Sequence, residues 1–367
     1  MTPRADGSLP VVGVLGATGK VGTELCLFLH LMEGVEVVAI GRNDLSLTLL
    51  RRCGVECRSG RADDPAEARR LLAGCSVVCD LSLPRGLASE VRAATARITR
   101  AATLAAEPGA PYVMASTYMS LGVSRPGERL RRRLLAGTQY GANKRKAEAG
   151  AMRAARRTGR DGYVILLGQV HGEFQAVSRE LRHAIADPRP VRVPPGPSNA
   201  IFVYSVAEAL RGIGNGALRP GRYAGSSVPQ WSWLQLYEYW ARREGVRRRV
   251  RVEDPPADSE GRTAALRRAC TGRIMSWITA SRDLATGYLL PHVPSAERKA
   301  KALHAIRSAR VQIAEGLCRT ESAPFHYAFA GETPGLRLDC VSDSRATMEP
   351  LAARVRELAG GLTSPKV

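Results

Sequence analysis

Short apolar segments alternate with longer amphipathic ones along the N-terminal part of the chain. The first apolar segment, 11–15, leads into a glycine-rich turn, and an amphipathic stretch follows from residue 20. A short continuous apolar run is typical of a strand buried on both faces, whereas a longer amphipathic stretch is typical of a helix. The pattern therefore predicts a strand, a turn and a helix in that order.

The same alternation continues as far as residue 116. Further strands are predicted at 35–40, 55–57, 76–83 and 111–116, and further helices at 45–52, 65–72 and 88–106. Strands that alternate with helices of this kind form parallel crossover units. The sequence therefore predicts an α/β fold built on a doubly wound parallel sheet.

The turn after the first strand has the glycine spacing of a dinucleotide-binding turn. Gly16 permits a tight turn, Gly19 lets the backbone approach a pyrophosphate, and Gly22 lets the helix pack closely on the strand. The helix N-terminus then offers free N–H groups to the phosphates. The cofactor-binding residues predicted in this turn of a Rossmann domain are Gly16, Thr18, Gly19, Lys20, Val21 and Gly22.

The residue after the second strand bears on the choice between NAD and NADP. NAD-binding sites usually carry an acid there, which accepts hydrogen bonds from the ribose 2′-hydroxyl, whereas an arginine can bind a 2′-phosphate. Here the strand is followed by Arg42, which favours NADP, and Asp44 close by leaves NAD open.

Candidate catalytic residues follow the strand at 111–116. Ser116 and Thr117 stand at its carboxyl end, where open α/β sheets bind ligands. Tyr140 and Lys144 are four residues apart on a predicted helix and so share one of its faces. A lysine ammonium lowers the pKa of a nearby phenol, so the tyrosine can exchange a proton near neutral pH. A hydroxyl across the site would hold the carbonyl or alcohol oxygen of a substrate.

Taken in this order, the motifs resemble those of the extended short-chain dehydrogenases/reductases, the NAD-dependent epimerase/dehydratase family, which acts largely on nucleotide sugars. The resemblance covers residues 11 to 245. It implies that Thr117, Tyr140 and Lys144 are catalytic, that Tyr140 and Lys144 also contact the cofactor, and that Asp63 touches the adenine amine. It further implies a small-molecule substrate, for which a nucleotide-linked compound is one candidate, and is compatible with a homodimer.

Three residues are predicted to contact the substrate on the same basis. Ser116 and Tyr118 flank the catalytic hydroxyl, and His171 stands where the family usually has a tyrosine, in the segment 166–172. The segment 200–209 resembles the part of the family in which the chain returns to the cofactor domain.

The chain also departs from the family pattern. The fourth strand is not followed by the usual alanine-rich turn, and Ser82 is expected to take over the cofactor contact made there. No asparagine occurs between Asn43 and Asn143, so the helix asparagine that often completes the family's catalytic group is missing. Tyr118 and Met119 stand where 4,6-dehydratases carry an acidic pair, which weighs against a dehydratase.

These motifs divide the chain into two predicted regions. Residues 9–171 and 200–245 would form the dinucleotide-binding Rossmann domain. Residues 172–199 and 246–367 would form a smaller, mostly helical substrate-binding region, with helices near 263–270, 276–286, 296–317 and 348–358.

Composition narrows the class of partner. The net charge is +20, but 48 arginines against 6 lysines point to a GC-rich coding background, and no basic–aromatic alternation indicates nucleic-acid binding. The eight cysteines lack the spacing of a zinc or redox site. We therefore expect free thiols and no metal site. With no apolar run of membrane-spanning length and no signal-peptide core at the start, a cytoplasmic protein is expected.

Three functions remain compatible with the sequence. The first is an NADP(H)-dependent ketoreductase acting on a nucleotide-linked deoxysugar or another secondary-metabolite carbonyl. The second is an NAD-dependent nucleotide-sugar epimerase, which would use the same three catalytic residues. The third is a non-catalytic NAD(P)-binding sensor or scaffold.

Overall fold

The computed structural model describes residues 8–84, 88–120, 139–186, 191–193, 198–227, 230–246, 250–252, 295, 336–337 and 345–363. The strands in these ranges are β1 (Val11–Leu15), β2 (Glu36–Gly41), β3 (Glu56–Ser59), β4 (Val77–Asp80), β5 (Tyr112–Thr117), β6 (Gly162–Leu167), β7 (Gln169–His171), β8 (Val191–Val193), β9 (Ala200–Phe202), β10 (Gly221–Gly225), β11 (Val250–Val252) and β12 (Leu336–Arg337). The α-helices are α1 (Lys20–Leu31), α2 (Asp44–Arg52), α3 (Pro65–Leu72), α4 (Ala88–Ala105), α5 (Gln139–Arg157), α6 (Ala176–Ala186), α7 (Val203–Gly214), α8 (Trp233–Arg243) and α9 (Arg345–Thr363).

Eight of these strands form one parallel sheet in the order β12-β10-β6-β5-β4-β1-β2-β3. The chain runs outward from β1 to β3 and then returns to β4 on the other side of β1. This reversal opens a crevice between the carboxyl ends of β1 and β4, which is where doubly wound sheets bind their ligands. The predicted doubly wound α/β fold is therefore confirmed.

Apolar side chains cover the sheet on both faces. One cluster joins the first strand to α1, α7 and α9, and includes Val14, Leu25, Leu210 and Val355. The other cluster lies under α3, α4 and α5 and includes Met114. Because the central strands are buried on both faces, their sequences are continuously apolar rather than alternating.

Local sequence signals start several of the helices. Asn43 caps α2 by accepting a hydrogen bond from the backbone N–H of Ser46. Asp64 caps α3 in the same way, with Pro65 at the first helical position. Ser232 and Gln235 form a reciprocal capping box at the start of α8.

The fourth strand, which the sequence predicts at 76–83, ends earlier in the structure. It stops at Asp80, whose carboxylate accepts a hydrogen bond from the backbone N–H of Ser82 and so turns the chain. In contrast, α5 begins at Gln139, which places both Tyr140 and Lys144 on the helix as predicted.

The C-terminal part of the chain returns to the main sheet. Strand β12 pairs with β10 at the sheet edge, and α9 packs against α1 with Met348, Ala352 and Val355 in the core. The sequence-based division assigns residues 246–367 to the substrate-binding region, whereas β12 and α9 pack on the main sheet and on α1. The helices predicted near 263–270, 276–286 and 296–317 lie outside the described residues.

None of the helices in the described ranges is long and apolar enough to cross a membrane. Within the same ranges, no group of three His, Cys, Asp or Glu side chains has an arrangement that could hold a metal ion.

Candidate active site

The turn after β1 closes tightly against the end of β4. Gly16 has a φ of 80°, a conformation that glycine adopts without strain. A Cβ at this position would lie 2.9 Å from the carbonyl carbon of Leu81 and 3.0 Å from the backbone nitrogen of Ser82. A side chain at residue 16 would therefore force the two strand ends apart at the bottom of the crevice.

The N-terminus of α1 opens into this crevice. Its N-cap, Gly19, provides no side-chain hydrogen bond to the first turn of the helix, whose N–H groups can therefore serve a ligand. Thr18, Gly19 and Lys20 are exposed, so a phosphate could reach the backbone N–H groups and the lysine ammonium together. Val21 is half-buried behind them.

Arg42 is exposed at the end of β2, directly after Gly41. It has no hydrogen-bond or ion-pair partner in the part of the chain that the structure describes. Asp44, the residue that left NAD open, forms an ion pair with Arg51 along α2. That pair lowers the pKa of Asp44 and engages its carboxylate, which leaves Arg42 as the unengaged charged group at this position.

Ser82 follows β4 on the opposite wall of the crevice. Its hydroxyl is buried and has no hydrogen-bond partner among the described residues, which is uncommon for a buried polar atom. An uncapped helix N-terminus, glycines that permit close approach and an unpaired buried hydroxyl together fit the phosphates and ribose of a dinucleotide.

Asp63 lies beyond β3, before α3. Its carboxylate is 3.4 Å from Arg61 and 3.4 Å from Arg97 of α4, and Arg61 is the main cause of its lowered pKa. Contact between Asp63 and an adenine amine stays a prediction, since the carboxylate already has two cationic partners.

The carboxyl end of β5 lies beside α5, the helix that bears two of the candidate catalytic residues. Thr117 is the last residue of β5, and Lys144 of α5 donates a hydrogen bond of 3.1 Å to the carbonyl oxygen of Ala115. Burial lowers the pKa of Lys144, and the charges of nearby carboxylates oppose that shift. Tyr140 is the second residue of α5, one turn before Lys144, and its side chain lies outside the described set.

Sequence reasoning missed a buried network directly behind this site. The hydroxyl of Ser116 donates a hydrogen bond of 2.5 Å to Glu148, whose other carboxylate oxygen is 2.8 Å from Arg222 of β10. Glu148 follows Lys144 by one helical turn, and that spacing is the signal that could have found it. Ser116 is 4% exposed and its hydroxyl anchors α5 to β5, so its role as a substrate contact stays a prediction.

Tyr118 is likewise engaged inside the protein. It is 4% exposed at the start of a short 3-10 helix, Tyr118–Ser120, and its hydroxyl donates a hydrogen bond of 2.7 Å to Ser226. This contact ties the segment after β5 to the segment after β10, so its role as a substrate contact stays a prediction.

His171 ends β7 and is fully buried. Its Nδ1 lies 3.1 Å from Ser178 Oγ, and its Nε2 has no partner among the described residues. Burial lowers the pKa of His171 to about 3, so the ring is neutral at physiological pH. Because β7 pairs with β9, the ring packs against Phe202 and lines a small cavity, and a contact between His171 and a substrate stays a prediction.

A second buried group, Glu24 of α1, lines the same cavity. Its carboxylate accepts hydrogen bonds from the backbone N–H of Glu173 and Phe174 and from the Gln175 side chain. Burial raises the pKa of Glu24 to about 7. Glu24 therefore ties the cofactor-side helix to the start of the predicted substrate segment, 172–199. A charged residue within an apolar helix was the sequence signal for it.

Comparison with solved structures places this geometry in a known fold. A nucleoside-diphosphate-sugar epimerase from Pseudomonas aeruginosa matches 73% of this chain and 85% of its own, with 20% identity and a TM-score of 0.52. A UDP-N-acetylglucosamine 4-epimerase from Bacillus cereus matches 69% of this chain and 91% of its own, with 14% identity and a TM-score of 0.50. The chain has the fold of these epimerases.

This fold agrees with the resemblance drawn from the sequence motifs. No protein-family model and no curated protein sequence matches the chain. At identities of 14% and 20%, the likeness to the two epimerases concerns the fold, and the activity has to be argued from the site itself.

Proposed function

We propose that the chain is an NADP(H)-dependent oxidoreductase of the extended short-chain type that reduces a ketone. The substrate would be a nucleotide-linked deoxysugar or another secondary-metabolite carbonyl. The observation that carries this proposal is the position of Lys144. Its ammonium donates a hydrogen bond to the carbonyl oxygen of Ala115, two residues before Thr117 at the carboxyl end of β5. The Gly16 turn follows the carboxyl end of β1 in the same sheet.

The dinucleotide would be held along the crevice between β1 and β4. Gly19 and Lys20 would meet its pyrophosphate, Ser82 would pair its buried hydroxyl with the cofactor, and Arg42 would bind the 2′-phosphate of NADP. When bound, the nicotinamide ring supplies the hydride that reduces the carbonyl carbon.

The chain's own residues would manage the proton and the substrate oxygen. Thr117 would hydrogen-bond to the carbonyl oxygen and hold it near Tyr140, which would give that oxygen its proton. The Lys144 ammonium would lower the pKa of the Tyr140 phenol and hold the cofactor ribose.

A nucleotide-sugar epimerase is the second candidate, and the likeness to two epimerases of solved structure favours it. The same three side chains would oxidise a sugar alcohol and then reduce the ketone on its other face. Such a cycle regenerates the cofactor on the enzyme and requires that it stay bound between the two half-reactions.

One experiment tests both candidates. The purified protein is denatured, released dinucleotide is identified and quantified, and the affinities for NADPH and NADH are then measured. The proposed reductase predicts little retained cofactor and NADPH binding more than tenfold tighter, about 1.4 kcal/mol. Near-stoichiometric NAD(H) would instead support the epimerase. Binding of neither dinucleotide would overturn both and favour a non-catalytic protein.

A further inference from the structure

A buried carboxylate beneath the candidate site has no part in the mechanism above. Asp80 ends β4 and is 2% exposed. Its Oδ2 accepts a hydrogen bond of 2.6 Å from the Tyr112 hydroxyl, and its Oδ1 accepts one of 2.8 Å from the backbone N–H of Ser82. Both donors are neutral. A buried carboxylate is costly to keep ionised unless a cation lies nearby. The two neutral donors do not supply that positive charge.

Lys144 approaches the same place from α5. Strands β4 and β5 pair in parallel with Asp80 opposite Met114, and the Lys144 ammonium is bonded to the carbonyl of the next residue, Ala115. Tyr112 and Met114 belong to the apolar cluster under α4 and α5, so the carboxylate bonded to Tyr112 lies on the face of the sheet that α5 covers.

The charges around the site divide into two complementary pairs. Glu148 is joined to Arg222 at 2.8 Å, which engages one carboxylate and one cation. Among the described residues, Asp80 and Lys144 are an acid and a base beneath the site that this ion pair does not engage. Although they form no ion pair within 4 Å among the described contacts, charges separated by low-dielectric protein interact over longer distances than they do in water.

Other cations near Lys144 are engaged elsewhere. Arg92 of α4 donates a hydrogen bond of 3.3 Å to Asn143, and Arg145 donates one of 2.6 Å to the backbone carbonyl of Ser120. Burial lowers the pKa of Lys144, and the charges of Asp80 and then Glu148 counteract that shift.

We propose that Asp80 is a positioning residue of the candidate site. Its carboxylate is the counter-charge that keeps the Lys144 ammonium protonated at the end of β5. Through the amide of Ser82, the same carboxylate fixes the turn that closes against Gly16. This inference rests on the proposed function only in treating Lys144 as catalytic, because the relation between the two charges holds without any substrate.

The test measures Lys144 directly, without an assay of activity. The chain has only 6 lysines, so lysine side-chain NMR is simple to assign, with Lys144→Arg identifying the resonance. Asp80→Asn replaces the carboxylate by a neutral group of the same shape. Its expected effect is to lower the pKa of Lys144 by about 0.5 to 1 unit, since an opposite charge favours the protonated amine.

Tyr112→Phe is the matched control, because it removes one hydrogen bond to Asp80 and keeps the charge. It should lower the melting temperature and leave the pKa of Lys144 within about 0.2 unit of wild type, which is small beside the shift expected from a lost charge. An unchanged Lys144 pKa in folded Asp80→Asn would overturn the proposal, as would equal shifts in both variants.

A second measurement covers the case in which Asp80→Asn does not fold. In the wild type labelled with ¹³C at aspartate carboxyl groups, the Asp80 resonance should show an inflection as Lys144 titrates, and Lys144→Met should abolish it. The absence of that inflection would overturn the proposal. Failure of dinucleotide binding with a normal Asp80–Lys144 coupling would count against the proposed function alone.

Discussion

A Cβ built on Gly22 would lie 2.3 Å from the carbonyl oxygen of Gly16 and 2.9 Å from the Cα of Ala17. Both contacts are with backbone, which cannot rotate away as the end of a side chain can. The first turn of α1 is therefore held against the turn after β1 at a distance that only glycine allows, and this contact sets where the helix N-terminus points.

Gly22→Ala is expected to displace that helix N-terminus. It should cost about 1 to 3 kcal/mol of unfolding free energy, as overpacking does, and weaken dinucleotide binding at least tenfold. Denaturant unfolding and dinucleotide titration measure the two effects. Gly150→Ala on α5 is the control, because nothing lies within 4 Å of its Cβ position, and it should be neutral or stabilising. Equal effects in the two variants would contradict the role of Gly22.

Arg42→Ser is expected to reduce NADPH affinity and leave NADH affinity nearly unchanged. The arginine is exposed and unengaged among the described residues, so its loss should remove the proposed charge-assisted bond to a 2′-phosphate without breaking an internal contact. The dissociation constant for NADH divided by that for NADPH should fall at least tenfold, which corresponds to about 1.4 kcal/mol. Arg52→Ser removes an exposed arginine from α2 and should leave the ratio unchanged. A preserved NADPH preference in Arg42→Ser would show that another group reads the phosphate.

Tyr140→Phe is expected to lower kcat by about 10²- to 10⁴-fold, which is typical for loss of a general acid. Dinucleotide affinity should stay within a few-fold, because the phenyl ring and Lys144 remain. Stopped-flow or steady-state rates with an active ketone, together with cofactor titration, measure the two parameters. Undiminished turnover would remove Tyr140 from the mechanism.

The adjacent residues Ser116 and Thr117 are expected to respond differently. Thr117→Val should lower kcat by about 10²-fold or more, since it would remove the proposed hydrogen bond to the substrate oxygen. Ser116→Ala should instead cost about 1 to 2 kcal/mol of stability with little change in kcat, because its hydroxyl bonds to Glu148 behind the strand. The pair is compared by kinetics and by denaturant unfolding. A larger kinetic loss in Ser116→Ala would show that the two residues have exchanged roles.

Glu24 is expected to make the stability of the protein fall as pH rises from 4.5 to about 7. Its pKa is raised by burial from 4.5 to about 7, so the folded state retains a proton that the unfolded state has lost in this interval. Glu24→Gln cannot titrate, and its stability relative to wild type should therefore rise by up to about 3 kcal/mol across the same interval, at about 1.4 kcal/mol per pKa unit.

The titration of His171 changes the stability of the protein with pH in the opposite direction, so the variant has to be compared with wild type at each pH. Its pKa of about 3 means that stability rises with pH between 3 and 6.5, and this contribution is common to both proteins and cancels in the difference. Denaturant unfolding at several pH values gives the curves, with Glu33→Gln, at an exposed position just after the same helix, as the control. Parallel curves for Glu24→Gln and wild type would refute the role of Glu24.

The order of elements was largely predictable from the sequence. Continuous apolar runs marked the central strands, and the glycine spacing at Gly16, Gly19 and Gly22 marked the turn that the structure places in the crevice. The helix bearing Tyr140 and Lys144 and the carboxyl end of β5 were also predicted correctly. These features depend on neighbours in the chain, and short-range patterns record such neighbours directly.

The buried charged groups behind the candidate site were not predictable in the same way. Asp80, Glu148 and Arg222 come from β4, α5 and β10, and nothing in their sequence separation indicates that they lie beneath one site. His171 shows the reverse case, because its motif suggested a substrate contact whereas the pairing of β7 with β9 buries its ring.

The sequence by itself determined the local units of this protein: which segments form strands and helices, where the phosphate-binding turn lies, and which residues could carry proton transfer. Only the tertiary structure decided which charges are compensated and which face the interior, including the pairing of Glu148 of α5 with Arg222 of β10. The reason is physical. Secondary structure follows from periodicity along the chain, whereas burial and charge pairing arise from contacts between residues far apart in it.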